Sequence, residues 1–271
     1  MQYKKIQGVD IPELGLGTYK LYGKECNQIV RSAFDLGYRL IDTAQMYKNE
    51  REIGEAINQS GIDREEIYLI DKIWHTNLDH DIVLQSVEDS LKELKTPYID
   101  LLLIHWPNLQ YSLEQTFEAM LNLRDQAKVI DIGVSNFPID LLKHSSEDLR
   151  IPLFGNQVEY HPYLGQFDLM DYAYENDMAL IAYSPLAQGR VNEDSVLNKI
   201  GKEYGKSAAQ VVLRWLIEQE NVITIPKTTN LDHLKSNLDI YDFELSDDHF
   251  DLINDLERNQ RFVNPSFAPD W

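Results

Sequence analysis

Eight short apolar runs divide this chain, and stretches with helical periodicity lie between them. Several of the runs are apolar almost throughout, as in Ile99–Ile104, which reads Ile-Asp-Leu-Leu-Leu-Ile. Strands that are buried on both faces of a parallel sheet have this pattern. The eight predicted strands are Leu14–Thr18, Arg39–Thr43, Ile67–Lys72, Asp100–His105, Val129–Ser135, Phe154–Tyr160, Ala179–Ser184 and Val222–Pro226.

The stretches between these runs favour amphipathic helices. Glu25–Leu36 and Asp81–Leu94 repeat apolar residues every three or four positions. Ser112 is a typical N-cap residue, and Pro138 suits the first turn of a helix. Strands that alternate with helices indicate βαβ units and a parallel sheet. Eight such repeats in 271 residues predict an α/β protein with a closed (β/α)8 TIM barrel rather than an open sheet.

Three segments lie outside the repeat. Met1–Glu13 predicts a β-hairpin that plugs one end of the barrel, because short β-like runs flank Gly8. Asp247–Glu257 predicts a final helix, and Asn259–Trp271 reads as an irregular tail. No stretch resembles a linker, so we expect residues 1–271 to form a single barrel domain.

Composition argues against several classes of protein. The formal net charge of −20 opposes non-specific binding to nucleic acid. No apolar run reaches about 18 residues, which argues against a membrane span. Met1–Asp10 lacks the apolar core of a secretory signal, and a single cysteine, Cys26, fits a reducing, cytoplasmic setting. The histidines have no zinc-binding spacing, so no metal site is predicted.

Four titratable side chains fall at or just after three neighbouring strand ends, where barrel active sites lie. They are Asp42, Tyr47, Lys72 and His105. A phenol can donate a proton to a forming alkoxide, and a nearby ammonium lowers the pKa of that phenol. We therefore expect Lys72 to lower the pKa of Tyr47, and Asp42 to hold Lys72 in place. His105 can donate a hydrogen bond that positions the substrate oxygen. Each residue alone has an ordinary structural interpretation, but together they favour proton transfer.

Three segments carry a resemblance to a known family. Gly37–Glu50 surrounds Asp42 and Tyr47, Lys72-Ile73-Trp74 follows, and Leu101–Pro107 contains His105. These segments resemble the signatures of the aldo-keto reductase family, and the resemblance extends from Gly15 to about Ser246. It implies a monomeric barrel enzyme that reduces aldehydes or ketones with NADPH, using these four residues in catalysis. The chain is most similar to bacterial members that reduce glyoxal, methylglyoxal or 2,5-diketo-D-gluconate.

The ends of strands five to seven carry candidate contacts to the nicotinamide. Ser135, Asn136 and Gln157 can hydrogen-bond a carboxamide. Tyr183 can stack on the nicotinamide ring. By the family resemblance, Ser184 and Leu186 would follow the pyrophosphate.

The segment after strand eight carries candidate contacts to the adenosine end. Lys227 and Thr228 can bind a ribose 2′-phosphate through charge and hydroxyl. The family pattern has an arginine six residues after this lysine and further contacts near the adenine, where this chain has His233 and Asn237. Neutral histidine binds phosphate more weakly than arginine. We therefore expect NADPH to be preferred by a reduced margin, which leaves NADH use open.

Aromatic residues surround the predicted site. Tyr19, Trp74 and Trp106 line the substrate pocket of the family together with His105, and such a pocket suits small, uncharged carbonyl compounds. Phe267 and Trp271 in the tail either reach this pocket or pack on the barrel. Asp71 stands where relatives commonly have a small or hydroxyl residue. Because adjacent strand residues point to opposite sides, we expect Asp71 to face away from the lumen.

Two other functions fit parts of the pattern. A catalytically silent barrel that binds nucleotide could serve as a regulatory subunit, but the four titratable residues argue against it. A lyase or isomerase could use Lys72 as a Schiff-base nucleophile. That function leaves Asn136, Gln157, Tyr183 and Lys227 without a role.

Overall fold

The computed structural model describes residues 1–269, and its strands follow the predicted runs closely. Trp271, one of the two tail residues expected near the pocket, lies outside this range. The strands are β1 (Tyr3–Ile6), β2 (Val9–Pro12), β3 (Leu16–Gly17), β4 (Leu40–Asp42), β5 (Tyr68–Ile73), β6 (Ile99–Ile104), β7 (Val129–Ser135), β8 (Leu153–Glu159), β9 (Ala179–Tyr183) and β10 (Val222–Thr224).

Helices separate the strands and cover the sheet from outside. They are α1 (Gly23–Leu36), α2 (Glu50–Ser60), α3 (His80–Leu94), α4 (Leu113–Asp125), α5 (Ile139–Lys143), α6 (Phe167–Glu175), α7 (Ser195–Tyr204), α8 (Ala208–Glu218), α9 (Leu231–Leu238) and α10 (Asp247–Asn254). The predicted N-cap is confirmed, because the Ser112 side chain accepts a hydrogen bond from the backbone N–H of Gln115 at 3.3 Å. The final helix ends three residues earlier than predicted. No helix within residues 1–269 is long and apolar enough to cross a bilayer.

Strands β3 to β10 form one parallel sheet in chain order, and its two edges meet. The backbone N–H of Gly15 donates to Thr224 O at 2.8 Å, and that of Gly17 donates to Pro226 O at 3.1 Å. A Cβ atom on Gly17 would lie 2.7 Å from the carbonyl oxygen of Ile225, so this close approach requires glycine. These bonds close the sheet and confirm the predicted (β/α)8 barrel.

The N-terminal hairpin closes one end of the barrel lumen. Strands β1 and β2 pair antiparallel, with Ile6 opposite Val9. Ile6 and Ile11 are fully buried and pack in one cluster with residues from inside the barrel, including Leu40 and Ile70. The predicted plug is therefore confirmed, and the opposite end, where the strands terminate, is left for the polar residues.

Candidate active site

A buried ion pair lies where β4 and β5 end. Lys72 Nζ donates to Asp42 Oδ1 at 2.7 Å and to the backbone oxygen of Thr43 at 2.7 Å. The side chains of Lys72 and Asp42 are 0% and 3% exposed. Burial lowers the pKa of Lys72 and raises that of Asp42, and the attraction between the two groups opposes both shifts. The pairing therefore fixes the ammonium at one position on the barrel wall.

Tyr47 lies beside this ion pair at the end of a 3-10 helix, Gln45–Tyr47. Its hydroxyl oxygen is 3.4 Å from Lys72 Nζ, which donates to it. The lowered pKa expected for Tyr47 beside this ammonium is not found. Burial, and then the charge of Asp42, raise the pKa of Tyr47 well above its ordinary value. An ammonium already paired with a carboxylate does not offset the loss of water around a phenolate, so Tyr47 keeps its proton.

His105 follows β6 directly and faces Tyr47. The two ring centroids are 5.6 Å apart at 78°, and the Trp74 ring lies 5.3 Å from the imidazole. Burial, and then the charge of Lys72, lower the pKa of His105 well below its ordinary value. A neutral imidazole has one N–H to donate. Its Nδ1 is buried and has no hydrogen-bond partner among residues 1–269.

The predicted nicotinamide contacts from β7, β8 and β9 form one hydrogen-bonded network with the catalytic candidates. Gln157 Nε2 donates to Asp42 Oδ2 at 2.7 Å, and Ser135 Oγ donates to the Gln157 backbone oxygen at 2.8 Å. Asn136 Nδ2 donates to the His105 backbone oxygen at 2.9 Å. Tyr183 Oη donates to Asn136 Oδ1 at 2.7 Å. The network holds these amides at the barrel mouth beside the ion pair.

The segment after β9 has an unusual backbone at the same end of the barrel. Ser184, Ala187 and Gln188 have φ values of 48°, 48° and 55°. Positive φ is disfavoured for residues other than glycine, and such residues cluster at ligand-binding segments. Ser184 and Leu186, the two predicted pyrophosphate contacts, are both half-buried here.

The predicted adenosine contacts lie after β10 and on α9. Lys227 and His233 are exposed, whereas Thr228 and Asn237 are largely buried. Thr228 Oγ1 accepts from the backbone N–H of Asn230 at 3.0 Å. The side chain of Asn230 in turn caps α9. Exposed basic side chains therefore border an ordered loop at this position.

The aromatic residues predicted for the substrate pocket lie close to one another and to Tyr47. The Tyr19 ring lies 5.1 Å from that of Tyr47. Phe267 from the tail lies 5.6 Å from Trp74 and 5.7 Å from Trp106. Phe267 also stacks on His75, with centroids 4.1 Å apart. The tail therefore contacts the predicted pocket residues, and His75 is a further contact that the sequence interpretation missed, although it directly follows Trp74.

Glu159 anchors the tail at the end of β8. Its carboxylate is 1% exposed and accepts hydrogen bonds from the backbone N–H groups of Phe262 and Val263, both at 2.9 Å. His161 Nε2 lies 3.1 Å from the same carboxylate. An acidic residue at the end of a buried strand was the sequence signal for this anchor, and it was not recognised.

Comparison with known proteins gives consistent results. Residues 13–258 match the model of the aldo/keto reductase family. The chain is 41% identical over 260 residues to glyoxal reductase of Bacillus subtilis (strain 168), covering 96% of this chain and 93% of that protein. It is 38% identical over 267 residues to methylglyoxal reductase DkgB of Yersinia pestis, covering 97% of this chain and 100% of that protein. A crystal structure provisionally assigned to a 2,5-diketo-D-gluconic acid reductase B superposes with a TM-score of 0.97 at 41% identity, covering 100% and 97% of the two chains.

Proposed function

The chain belongs to the aldo/keto reductase family and is an oxidoreductase, and on that premise we propose that it reduces small dicarbonyl compounds to alcohols with NADPH. One observation carries the proposal. The buried ammonium of Lys72, which Asp42 holds in place, lies 3.4 Å from the hydroxyl of Tyr47. The Tyr47 ring faces His105, whose imidazole is neutral. Relatives named glyoxal reductase and methylglyoxal reductase support the substrate class.

The proton chemistry follows from these three groups. A carbonyl oxygen gains negative charge as its carbon is reduced, and it must then receive a proton. Tyr47 holds a proton because burial raises its pKa, and its hydroxyl is the acid that we assign to this step. The N–H of neutral His105 positions the oxygen. The Lys72 ammonium stabilises the phenolate that Tyr47 leaves behind.

The residues at the barrel mouth fit a nicotinamide cofactor, which supplies the hydride when bound. Two side-chain amides, Asn136 and Gln157, are held in place by hydrogen bonds to the catalytic groups. We assign them, with Ser135 and the ring of Tyr183, to the nicotinamide end. We assign exposed Lys227, with Thr228, to the ribose 2′-phosphate of NADPH, because a cation favours phosphate over a hydroxyl.

The pocket supports small, uncharged substrates. Its walls are the rings of Tyr19, Trp74, Trp106 and Phe267. Such walls favour compact carbonyl compounds that expose little charge.

A direct assay tests the proposal. NADPH absorbance should fall when methylglyoxal, glyoxal or a nitrobenzaldehyde is added to the protein. NADPH binding without turnover on such a panel would favour a regulatory role instead. Lys72 is an unfavourable Schiff-base nucleophile, because its Nζ is fully buried and bonded to Asp42 and Thr43. Borohydride trapping of a substrate on Lys72 would reverse that conclusion.

Replacing His233 with arginine should widen the preference for NADPH. An added guanidinium near Lys227 can pair with a 2′-phosphate, so we expect the ratio of kcat/KM for NADPH to that for NADH to rise roughly tenfold. Steady-state assays with both cofactors measure this ratio. His144→Arg, on an exposed histidine of another segment, is the matched control. An equal rise for NADH and NADPH would argue against the proposed 2′-phosphate site.

Truncating Phe267 should weaken substrate binding without affecting the cofactor. Phe267→Ala removes a ring that contacts Trp74, His75 and Trp106. Loss of such aromatic contacts predicts a KM for methylglyoxal that is roughly two- to tenfold higher, with an unchanged Kd for NADPH. Phe167→Ala, at an exposed phenylalanine on α6, is the control. An unchanged KM would show that the tail does not form the pocket wall in solution.

A further inference from the structure

Asp71 is an unusual residue to find behind the active site. It precedes Lys72 on β5 and is fully buried, and neither of its carboxyl oxygens has a hydrogen-bond partner among residues 1–269. Lys72 bonds to groups in the barrel mouth, whereas the neighbours of Asp71 are Glu50 at the start of α2 and Ser90 on α3. Asp71 therefore faces away from the lumen, as predicted.

Glu50 presents a second carboxyl group to the same space. Its Oε1 atom is also buried and has no partner in the described part of the chain. Ser90 borders both carboxyl groups, but it has a single hydroxyl proton and is 3.4 Å from the Gln45 side-chain amide, which donates to it. One hydroxyl proton cannot satisfy all three of the buried oxygens, Asp71 Oδ1, Asp71 Oδ2 and Glu50 Oε1.

A fully buried carboxyl group and a half-buried one beside it cannot both ionise at low cost. Burial, and then the charge of Glu50, raise the pKa of Asp71 well above its ordinary value. Burial also raises the pKa of Glu50, and Glu93 on α3 adds to that shift. Lys72 is the cation that acts on Asp71, and it lowers this pKa by less than burial raises it. A proton on Asp71 turns an unpartnered oxygen into a donor for Glu50.

We propose that Asp71 and Glu50 share one proton, and that Asp71 is a positioning residue whose protonated carboxyl leaves Asp42 as the sole carboxylate partner of Lys72. The proposal rests on the proposed function, because Lys72 and Tyr47 are the groups that it affects. A negative charge on Asp71 raises the pKa of both Lys72 and Tyr47. The position of the shared proton therefore sets how readily Tyr47 releases its own.

The first test measures stability against pH and needs no activity. An acid whose pKa is higher in the folded than in the unfolded chain keeps a proton that the unfolded chain has lost. The free energy of unfolding therefore falls as the pH rises from the pKa of this acid in the unfolded chain, about 4, to its pKa in the folded chain. Asp71→Asn removes this titration. The free energy of unfolding of this variant, relative to the parent, should increase steadily from about pH 5 to pH 8 in denaturant titrations.

Two results would decide this first test. Asp89→Asn is the control, because Asp89 is exposed on α3 beside Lys92 and its pKa is lowered rather than raised. It should show no such increase. A difference between Asp71→Asn and the parent that stays constant with pH would overturn the shared proton. The outcome is the same whether or not the chain proves to be a dicarbonyl reductase.

The second test uses the alkaline limb of the pH profile of kcat/KM, where Tyr47 loses its proton. Glu50→Gln leaves an amide that donates to Asp71 and so places the negative charge on Asp71. Because a negative charge on Asp71 raises the pKa of Tyr47, the alkaline limb should move to higher pH by roughly half to one unit. The double variant Glu50→Gln/Asp71→Asn should return it, and Asp131→Asn, on β7 beside Arg124, should not move it. Identical limbs in the single and double variants would overturn the positioning role of Asp71.

Discussion

Replacing Tyr47 with phenylalanine should lower kcat for carbonyl reduction by about 10²- to 10⁴-fold, the usual contribution of a general acid. The substitution removes one hydroxyl, whereas the ring keeps its contacts with Tyr19 and His105. The Lys72–Asp42 ion pair does not depend on that hydroxyl. Cofactor affinity should therefore stay unchanged, which fluorescence titration with NADPH can measure beside the turnover assay.

A matched variant separates this effect from the loss of any tyrosine hydroxyl. Tyr22→Phe changes an exposed tyrosine near the start of α1 and should leave kcat unaltered. Turnover that survives in Tyr47→Phe would refute Tyr47 as the proton donor. Loss of NADPH binding in the same variant would instead indicate a structural role for the hydroxyl.

Replacing Lys72 with methionine should damage both stability and turnover. The change leaves Asp42 buried without its cation, and removing one partner of a buried ion pair typically costs about 3–5 kcal/mol. Turnover should also fall, because the phenolate of Tyr47 loses its stabilising charge. Denaturant unfolding and the NADPH assay measure the two effects separately.

The double variant Lys72→Met/Asp42→Asn distinguishes the two effects of this substitution. It removes the orphaned charge, so much of the lost free energy of unfolding should return. The amide introduced by Asp42→Asn can still accept from Gln157, which donates to Asp42 at 2.7 Å in the parent. Turnover should remain low, because neither variant has the ammonium. A double variant no more stable than Lys72→Met would show that the ion pair does not determine the loss.

The barrel could be predicted because strands that are buried on both faces consist almost entirely of apolar residues. The predicted strand bounds lie within two residues of the observed ones, and both ends of β7 coincide. β10 ends at Thr224, for example, although the carbonyl of Pro226 still accepts from Gly17. The four catalytic candidates could also be placed, because parallel strands align their ends at one mouth.

The electrostatics of the site could not be read from the chain. An ammonium near Tyr47 was predicted correctly, but the pKa of Tyr47 is raised because burial outweighs that charge. Burial of this kind depends on how distant elements close around a residue. The electrostatic effect of Glu50 on Asp71 likewise depends on where the start of α2 lies relative to β5, which neither segment encodes alone.

The hydrogen bonds at Glu159 bear on how such a protein can diverge. They are donated by main-chain N–H groups of Phe262 and Val263, which any residue except proline supplies. The anchor therefore tolerates changes in the side chains of the tail. Substitutions in the tail can therefore change the side chains beside Trp74 and Trp106 while the attachment to Glu159 is kept.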